Sequence, residues 1–394
     1  MLGNNIENIP EGWTVANIED IADIKTGSGD TQDKEEGGKY PFYVRSNTIE
    51  RVNNYTFDGE GVLTSGDGVG VGKIYHYVNG KIHYHQRVYN IHNFKKNVLG
   101  RYFYEYFRHN FYSRVMRMSA KGSVDSVRLD MIAKMSVLIP PLVEQEKVAD
   151  ILSSVNQKID LIHSKIEHTQ KLRKGLIQKL FSIGVGIKDI NGNWHSHTEF
   201  KDTKIGKLPK KWRCIRLGDL TEINYGKSPK GLDSGVGENP IFGTGGIVGF
   251  SNQSVCKTSS VILGRKGTID KVQYSDKPFW CIDTTFYTSN HKHCSAKWVY
   301  LYLSKLDLRK LNEATGVPSL SRKNLENILI PIPSESEEAF IIDLFEQLDK
   351  SSRLLEEQFK EIQNLKKGLM QKLLTGKWRV NLDKVTEKQV ALKA

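Results

Sequence analysis

Cysteine is scarce in this sequence: 394 residues contain four, Cys214, Cys256, Cys281 and Cys294, all in the second half and none in a C-x-x-C pair. That spacing argues against structural zinc, and a chain of this length has core enough to fold without a disulfide framework. No run of about 18 apolar residues is present, so a membrane-spanning helix and a membrane partner are not expected. The first residues lack the basic-then-apolar order of a secretory signal, and the expected location is the cytoplasm. Also missing are a complete G-x-x-x-x-G-K-[S/T] loop, a paired acidic nuclease constellation and a usable cofactor motif. The chain is therefore expected to be no enzyme, with no catalytic residue and no metal site.

Positive charge and repetition are what it does have. Lys and Arg number 57 against 45 Asp and Glu, a net charge of +12. Such an excess favours a polyanion, because cationic side chains release the counterions condensed on DNA or RNA. Hydrophobic residues at 38% and aromatics at 9% point to a folded chain rather than a disordered one.

Comparing the sequence with itself shows a tandem repeat. Ile9-Pro10-Glu11-Gly12-Trp13 recurs as Leu208-Pro209-Lys210-Lys211-Trp212. The same offset pairs Gly27 with Gly226, Pro41 with Pro240 and Gly68 with Gly267. A slightly shorter offset pairs Pro140 with Pro333 and Asp150 with Asp343. It also pairs the nonapeptide that starts at Leu172 (LRKGLIQKL) with the one at Leu365 (LKKGLMQKL). Two copies of about 190 residues fill nearly the whole chain.

Each copy opens with short β-like runs broken by glycine and asparagine, over 10–140 and 209–333. The run from Val69 to Val78, then Asn79-Gly80, then Lys81 to His85 predicts a hairpin closed by Asn-Gly. Val261–Leu263 and Phe279–Ile282 are counterpart strands, and helices are expected around Arg101–Phe111 and Lys297–Leu311. Each copy then changes character. Val148, Leu152, Val155, Ile159, Ile162 and Ile166 step by four and three, followed by Leu172, Leu176 and Leu180. The second copy repeats the pattern with Ile341, Phe345, Leu348, Leu355, Phe359 and Ile362, followed by Leu365, Leu369 and Leu373. These are heptad seams, with Thr169 and Ser352 as polar seam residues. Pro140-Pro141, Pro331 and Pro333 suit strand-to-helix corners. A helix this long with one apolar stripe needs a partner, and the other copy supplies it. The alternative is that each stripe packs on its own globular domain.

The expected fold class is α+β: two tandem α+β domains separated by two long helices that pair as an antiparallel coiled coil. The expected segments are a first domain over 1–142, a helix over 143–183, a linker and second domain over 184–334, a second helix over 335–376 and a weakly ordered tail over 377–394. Within the second domain, 182–207 reads as extended surface chain.

These features resemble the specificity subunits of type I restriction–modification systems. The resemblance rests on the tandem I/L-P-x-x-W starts, on the prolines entering an acidic helix (Ile139-Pro140-Pro141-Leu142-Val143-Glu144-Gln145-Glu146), and on helix endings reading Lys-Gly-Leu-x-Gln-Lys-Leu. Thr203-Lys204-Ile205-Gly206 before the second copy and Gly122-Ser123 before the first helix also fit, so nearly the whole chain is covered. One departure stands out: the family's usual Glu-Gln pair becomes Glu337-Glu338 in the second copy. The resemblance implies that each α+β part reads one part of a split site in double-stranded DNA. It also implies that the helices set the gap and dock methyltransferase subunits, two being expected, and that restriction/translocase subunits join the assembly. S-adenosylmethionine, ATP and Mg would then belong to those partner subunits, with no cofactor in this chain.

Base reading calls for Arg, Lys, Asn, Gln or Thr on loops, which reach base edges in the major groove. In the first copy Arg45, Asn47, Arg51, Gln86 and Arg87 suit that role, and in the second Lys227, Lys230, Arg265, Lys266, Thr284 and Thr285. Lys73, Lys121, Ser123, Lys271, Ser321 and Arg322 suit phosphate contacts, which position without specifying. The plain alternative for each is a solvated surface group. Ser65-Gly-Asp-Gly-Val-Gly-Val-Gly-Lys73 and its counterpart Gly264-Arg-Lys-Gly-Thr-Ile-Asp-Lys271 read as tight turns that let backbone approach DNA, rather than nucleotide sites. Asn239-Pro240-Ile241-Phe242 has the look of an adenine methyltransferase motif, yet it aligns with Tyr40-Pro41-Phe42-Tyr43 and reads as a strand. His83 and His85 share one strand face with His76 nearby, and they read as surface or DNA-facing positions rather than metal ligands.

Overall fold

A proline corner organises each copy. The strand Thr14–Asn17 pairs antiparallel with Ser136–Ile139, and Arg213–Arg216 pairs in the same way with Leu329–Ile332. Pro140 ends the first of these pairs because its nitrogen has no hydrogen to donate. The Pro141 carbonyl then accepts from Glu144 N at 2.9 Å and Gln145 N at 3.0 Å, which starts the helix Leu142–Ile183. The second long helix is Glu335–Leu373. The structure, a computed structural model, describes residues 9–68, 70–118, 126–232 and 237–381. It divides within both long helices. One unit runs up to His163 and resumes at Glu357, and the other runs from Ser164 to Glu356.

The first unit is built on a six-stranded sheet in the order Asp23–Thr26, Val88–His92, Phe57–Ser65, Tyr75–Tyr84, Tyr40–Tyr43, Ile49–Val52. All neighbours are antiparallel except Tyr40–Tyr43 with Tyr75–Tyr84. The helix Gly100–Met118 buries Tyr102, Phe103, Phe107 and Phe111 in a core with Val62 and Ile91. Burying four aromatics removes several hundred Å² from water, a contribution on the order of 10 kcal/mol before entropy is counted.

The Asn79-Gly80 hairpin is not formed. Tyr75–Tyr84 is one continuous strand, and Asn79 and Gly80 pair with Glu60 and Gly59 on the neighbouring strand. Gly59 and Gly80 face each other with φ of 151° and 122°. Those values suit glycine, so the pair passes through a geometry that other residues resist without reversing the chain.

The second unit splits the same sheet in two. Glu222–Tyr225, Thr285–Ser289, Ser260–Gly264 and Gln273–Ser275 form one part, and Gly246–Ser251, Asn239–Gly243 and Trp280–Cys281 the other. The split falls at Asp276-Lys277-Pro278, where proline removes a ladder donor. Ala296–Lys305 is the core helix, followed by a short 3₁₀ turn over Leu308–Leu311. The linker is not plain extended chain. Ile187–Lys188 pairs with Trp194–His195, Phe200–Thr203 pairs with Gly206–Pro209, and Gly184 and Gly186 are buried.

In the first unit Val148 and Leu152 share the core with Met370, Leu373 and Leu374, and the His163 ring lies 5.7 Å from that of Phe359. In the second unit Ile177, Leu180 and Phe181 share a core with Ile341 and Phe345. There Arg173 Nε reaches Asp349 Oδ1 at 2.6 Å. Within each unit, then, the helix ends meet the globular core and side chains of the two helices touch. Ile162 is buried, while Val155, Ile159, Ile166, Leu348, Leu355, Phe359 and Ile362 are partly buried. Leu172 and Leu365 leave the seam, at 53% and 55% exposed. Strict heptad stepping through Thr169 and Ser352 passes instead through Arg173 and Lys366, which are partly buried.

Candidate nucleic-acid interface

In the first unit three loop residues converge where strands end. Gly66 N donates to Arg87 O at 2.8 Å and Val127 N donates to Gly66 O at 2.7 Å, which pins the chain just before Asp67. Gly68 follows with φ +77°, a left-handed turn. Asp67 then accepts from Arg45 Nη1 at 2.8 Å and from Arg87 Nη1 at 2.5 Å. Burial works to raise the Asp67 carboxyl, but the hydrogen bonds and charges of Arg45 and Arg87 win and hold it below its ordinary value. Both arginines remain exposed.

Gln86 Nε2 donates to Asp30 Oδ2 at 3.2 Å, and Asn47 and Lys73 are exposed. Arg51 is engaged otherwise: its Nε and Nη2 donate to the carbonyls of Gly38 and Lys39 at 2.8 and 3.0 Å. Lys121 and Ser123 lie outside the described residues, as do Gly122 and Val69. The histidines are not surface groups. His83 and His85 are 5% and 3% exposed, and burial lowers the pKa of both. His76 sits 3.2 Å from the Ser46 carbonyl. Packing of the strand against Phe42 and Tyr43 takes these rings inward.

In the second unit Lys227, Lys230, Lys266 and Lys271 are exposed. Lys271 Nζ donates to Gly245 O, tying its loop to the neighbouring hairpin. The Arg265 guanidinium stands 5.4 Å from the Tyr225 ring centroid, a cation–π contact. Thr284 is partly buried. Thr285 is fully buried, with its hydroxyl donating to Ile282 O at 2.6 Å, so it supports the turn instead of facing solvent. Ser321 caps the helix Arg322–Glu326 by accepting from Asn324 N, and Arg322 Nε is held by Glu326 at 2.7 Å. Ile247, Val248 and Phe250 are exposed on the strand Gly246–Ser251; a β-bulge between Ile241 and Phe242 interrupts the register of that strand with its neighbour.

Asp67 was not among the residues singled out from sequence. The signal was present: the repeated glycines Gly68 and Gly267 follow it and its counterpart directly. Among the described residues no group of His, Cys, Asp and Glu could hold a metal ion, and no helix is long and apolar enough to cross a membrane.

The family profile of the type I restriction modification DNA specificity domain matches this chain twice, over residues 10–170 and 209–364. The type I restriction enzyme MjaVIII specificity subunit of Methanocaldococcus jannaschii is 26% identical over 415 residues, which cover 94% of each chain. The EcoDI specificity subunit of Escherichia coli is 21% identical, over 94% of this chain and 90% of that one. The crystal structure of a type I restriction–modification S subunit from M. genitalium shares the fold with a TM-score of 0.69 at 18% identity. It covers 95% of this chain and 97% of its own.

Proposed function

Because this chain belongs to the type I restriction modification DNA specificity family, we propose that it selects the DNA sequence for a larger assembly and catalyses nothing itself. Its target is an asymmetric, two-part site in double-stranded DNA, one part for each copy. The observation that carries this reading is one scaffold occurring twice with different side chains on equivalent loops. The Asp67 and Lys266 loops are anchored by matching backbone bonds, yet one carries an acid and the other a base. Identical copies would read a symmetric site, and divergent loops on a shared scaffold read different sequences.

The two long helices, on this reading, pair antiparallel as a coiled coil along their heptad seams and fix the gap between the half-sites. Their outer faces dock two methyltransferase subunits, and restriction/translocase subunits complete the complex in the cytoplasm. S-adenosylmethionine sits on the former, with ATP and Mg on the latter.

Methylome sequencing tests the reading in methylation-free cells that express the chain with a cognate methyltransferase subunit. A split, asymmetric methyladenine motif that vanishes without this chain is the expected result. A stable complex that writes no new motif would contradict it and leave a protein-interaction scaffold.

A further inference from the structure

We infer that Asp67 sets the base preference of the first unit by fixing Arg45 and Arg87, and that Lys266 occupies the equivalent post in the second. The inference rests on the DNA-reading function proposed above. Equivalence comes from the backbone. Asp67 forms an isolated antiparallel bridge with Ser126, and Lys266 forms one with Ser319. Val127 N donates to Gly66 O at 2.7 Å, and Leu320 N donates to Arg265 O at 2.9 Å. Gly66 N and Arg265 N donate to Arg87 O and Thr284 O, each at 2.8 Å. Gly68 and Gly267 follow with φ of +77° and +93°.

The same correspondence carries Arg87 onto Thr284. It carries Arg45 onto Thr244, since Tyr43 pairs in parallel with Tyr84 just as Phe242 does with Cys281. Thr244 borders the turn: a Cβ on Gly267 would lie 3.7 Å from its hydroxyl. At one place in the fold, then, the first unit has Arg, Asp, Arg and the second has Thr, Lys, Thr.

Their chemistry differs accordingly. A carboxylate holding one nitrogen of a guanidinium restrains where the group sits and leaves its other N–H groups to donate, as guanine N7 and O6 require. Arg45 and Arg87 share one such carboxylate, each through its Nη1, so both guanidinium groups are drawn to one spot before DNA arrives. An exposed ammonium is a mobile point charge with no fixed fork, and the threonines can donate or accept. Guanine is therefore enforced in the first unit's half-site through Asp67, and the other half-site is read without that constraint.

The test uses the full chain with its methyltransferase subunit in methylation-free cells, comparing D67N and K266T with the wild type. D67N should admit other bases at one or two guanine positions of one half-site, with a loss of discrimination of about tenfold or more. K266T should alter only the other half-site. Affinity of the purified D67N complex for random-sequence duplex should stay level or rise, because a negative charge is lost; a misfolded variant would lose that binding too. Unchanged motifs in both variants, changes to one and the same half-site, or a uniform fall in methylation without degeneracy would each overturn the inference. A wild type that writes no split motif removes the DNA-reading function itself, and this inference with it.

Discussion

Trp212 donates its indole N–H to Glu337 across 2.9 Å, with both side chains almost fully buried. Trp13 and Glu144 repeat the bond at 3.0 Å in the first unit. Each carboxylate thus ties the tryptophan that opens a copy to the start of a long helix, where a negative charge also meets the favourable end of the helix dipole. What completes the acceptor differs. Glu337 takes the backbone N–H groups of Val185 and Gly186 at 2.7 and 3.0 Å, with His197 Nε2 at 3.1 Å. Glu144 takes the Arg379 guanidinium at 2.7 and 2.9 Å.

Replacing Glu337 by alanine leaves several buried donors without an acceptor, which should cost about 3 kcal/mol. Glu337→Gln keeps an acceptor oxygen and should cost about 1 kcal/mol. Urea unfolding followed by tryptophan fluorescence measures both. A midpoint unmoved by Glu337→Ala would mean that the bond contributes no more than a surface contact.

Next to it, Glu338 stands where the first copy has Gln145. Both accept a backbone N–H at the start of the core helix: Glu338 from Ser295 at 2.8 Å, Gln145 from Leu99 at 2.8 Å. Gln145 also donates to the carbonyls of Pro140 and Asn97 at 2.7 and 2.8 Å, which a carboxylate cannot do. Burial raises the Glu338 carboxyl above its ordinary value. A raised acid stabilises the fold below its unfolded pKa and loses that contribution as pH rises through the folded pKa. Glu338→Gln should therefore stabilise the protein at neutral pH by about 1 kcal/mol. The gain should shrink below the ordinary carboxylate range. Thermal melts at pH 7 and pH 4 that differ equally from wild type would contradict this.

The repeat, the proline corners and the long helices were legible in the sequence because they rest on local rules: offset identity, missing N–H groups and heptad stepping. The middle of the first sheet was not. Asn79-Gly80 carries a strong turn signal, and only its pairing with Gly59 and Glu60, about 20 residues earlier, keeps the strand extended. Candidate contacts were legible by residue type alone. Arg51 and Arg322 have the right chemistry but are bound to Gly38, Lys39 and Glu326, and Thr285 is turned inward. Which cation is left facing solvent depends on acceptors that only tertiary structure brings near.

Leu161, Leu172, Leu354 and Leu365 are each at least half exposed on the long helices. The first pair matches the second between copies, so the exposure is part of the repeated design. If these faces dock methyltransferase subunits, Leu172→Glu together with Leu365→Glu should leave the melting temperature unchanged. Capture of the methyltransferase subunit should weaken by at least about tenfold, as expected for large apolar anchors at an interface. A lowered melting temperature with intact capture would instead assign both leucines to the fold.

Arg265 offers the sharpest separation of reading from positioning. Its guanidinium packs on Tyr225, which orients it, and its backbone is fixed to Thr284 and Leu320. A base-reading arginine contributes about 1–3 kcal/mol of discrimination at one position, whereas a phosphate contact lowers all affinities alike. Arg265→Ala should therefore weaken binding to the cognate duplex about 10- to 100-fold, with the loss confined to one half-site. Competition with a duplex scrambled in that half-site measures it, since the scrambled duplex should lose almost nothing further. Equal losses on cognate and scrambled DNA, with a shallower dependence on salt, would make Arg265 a phosphate contact.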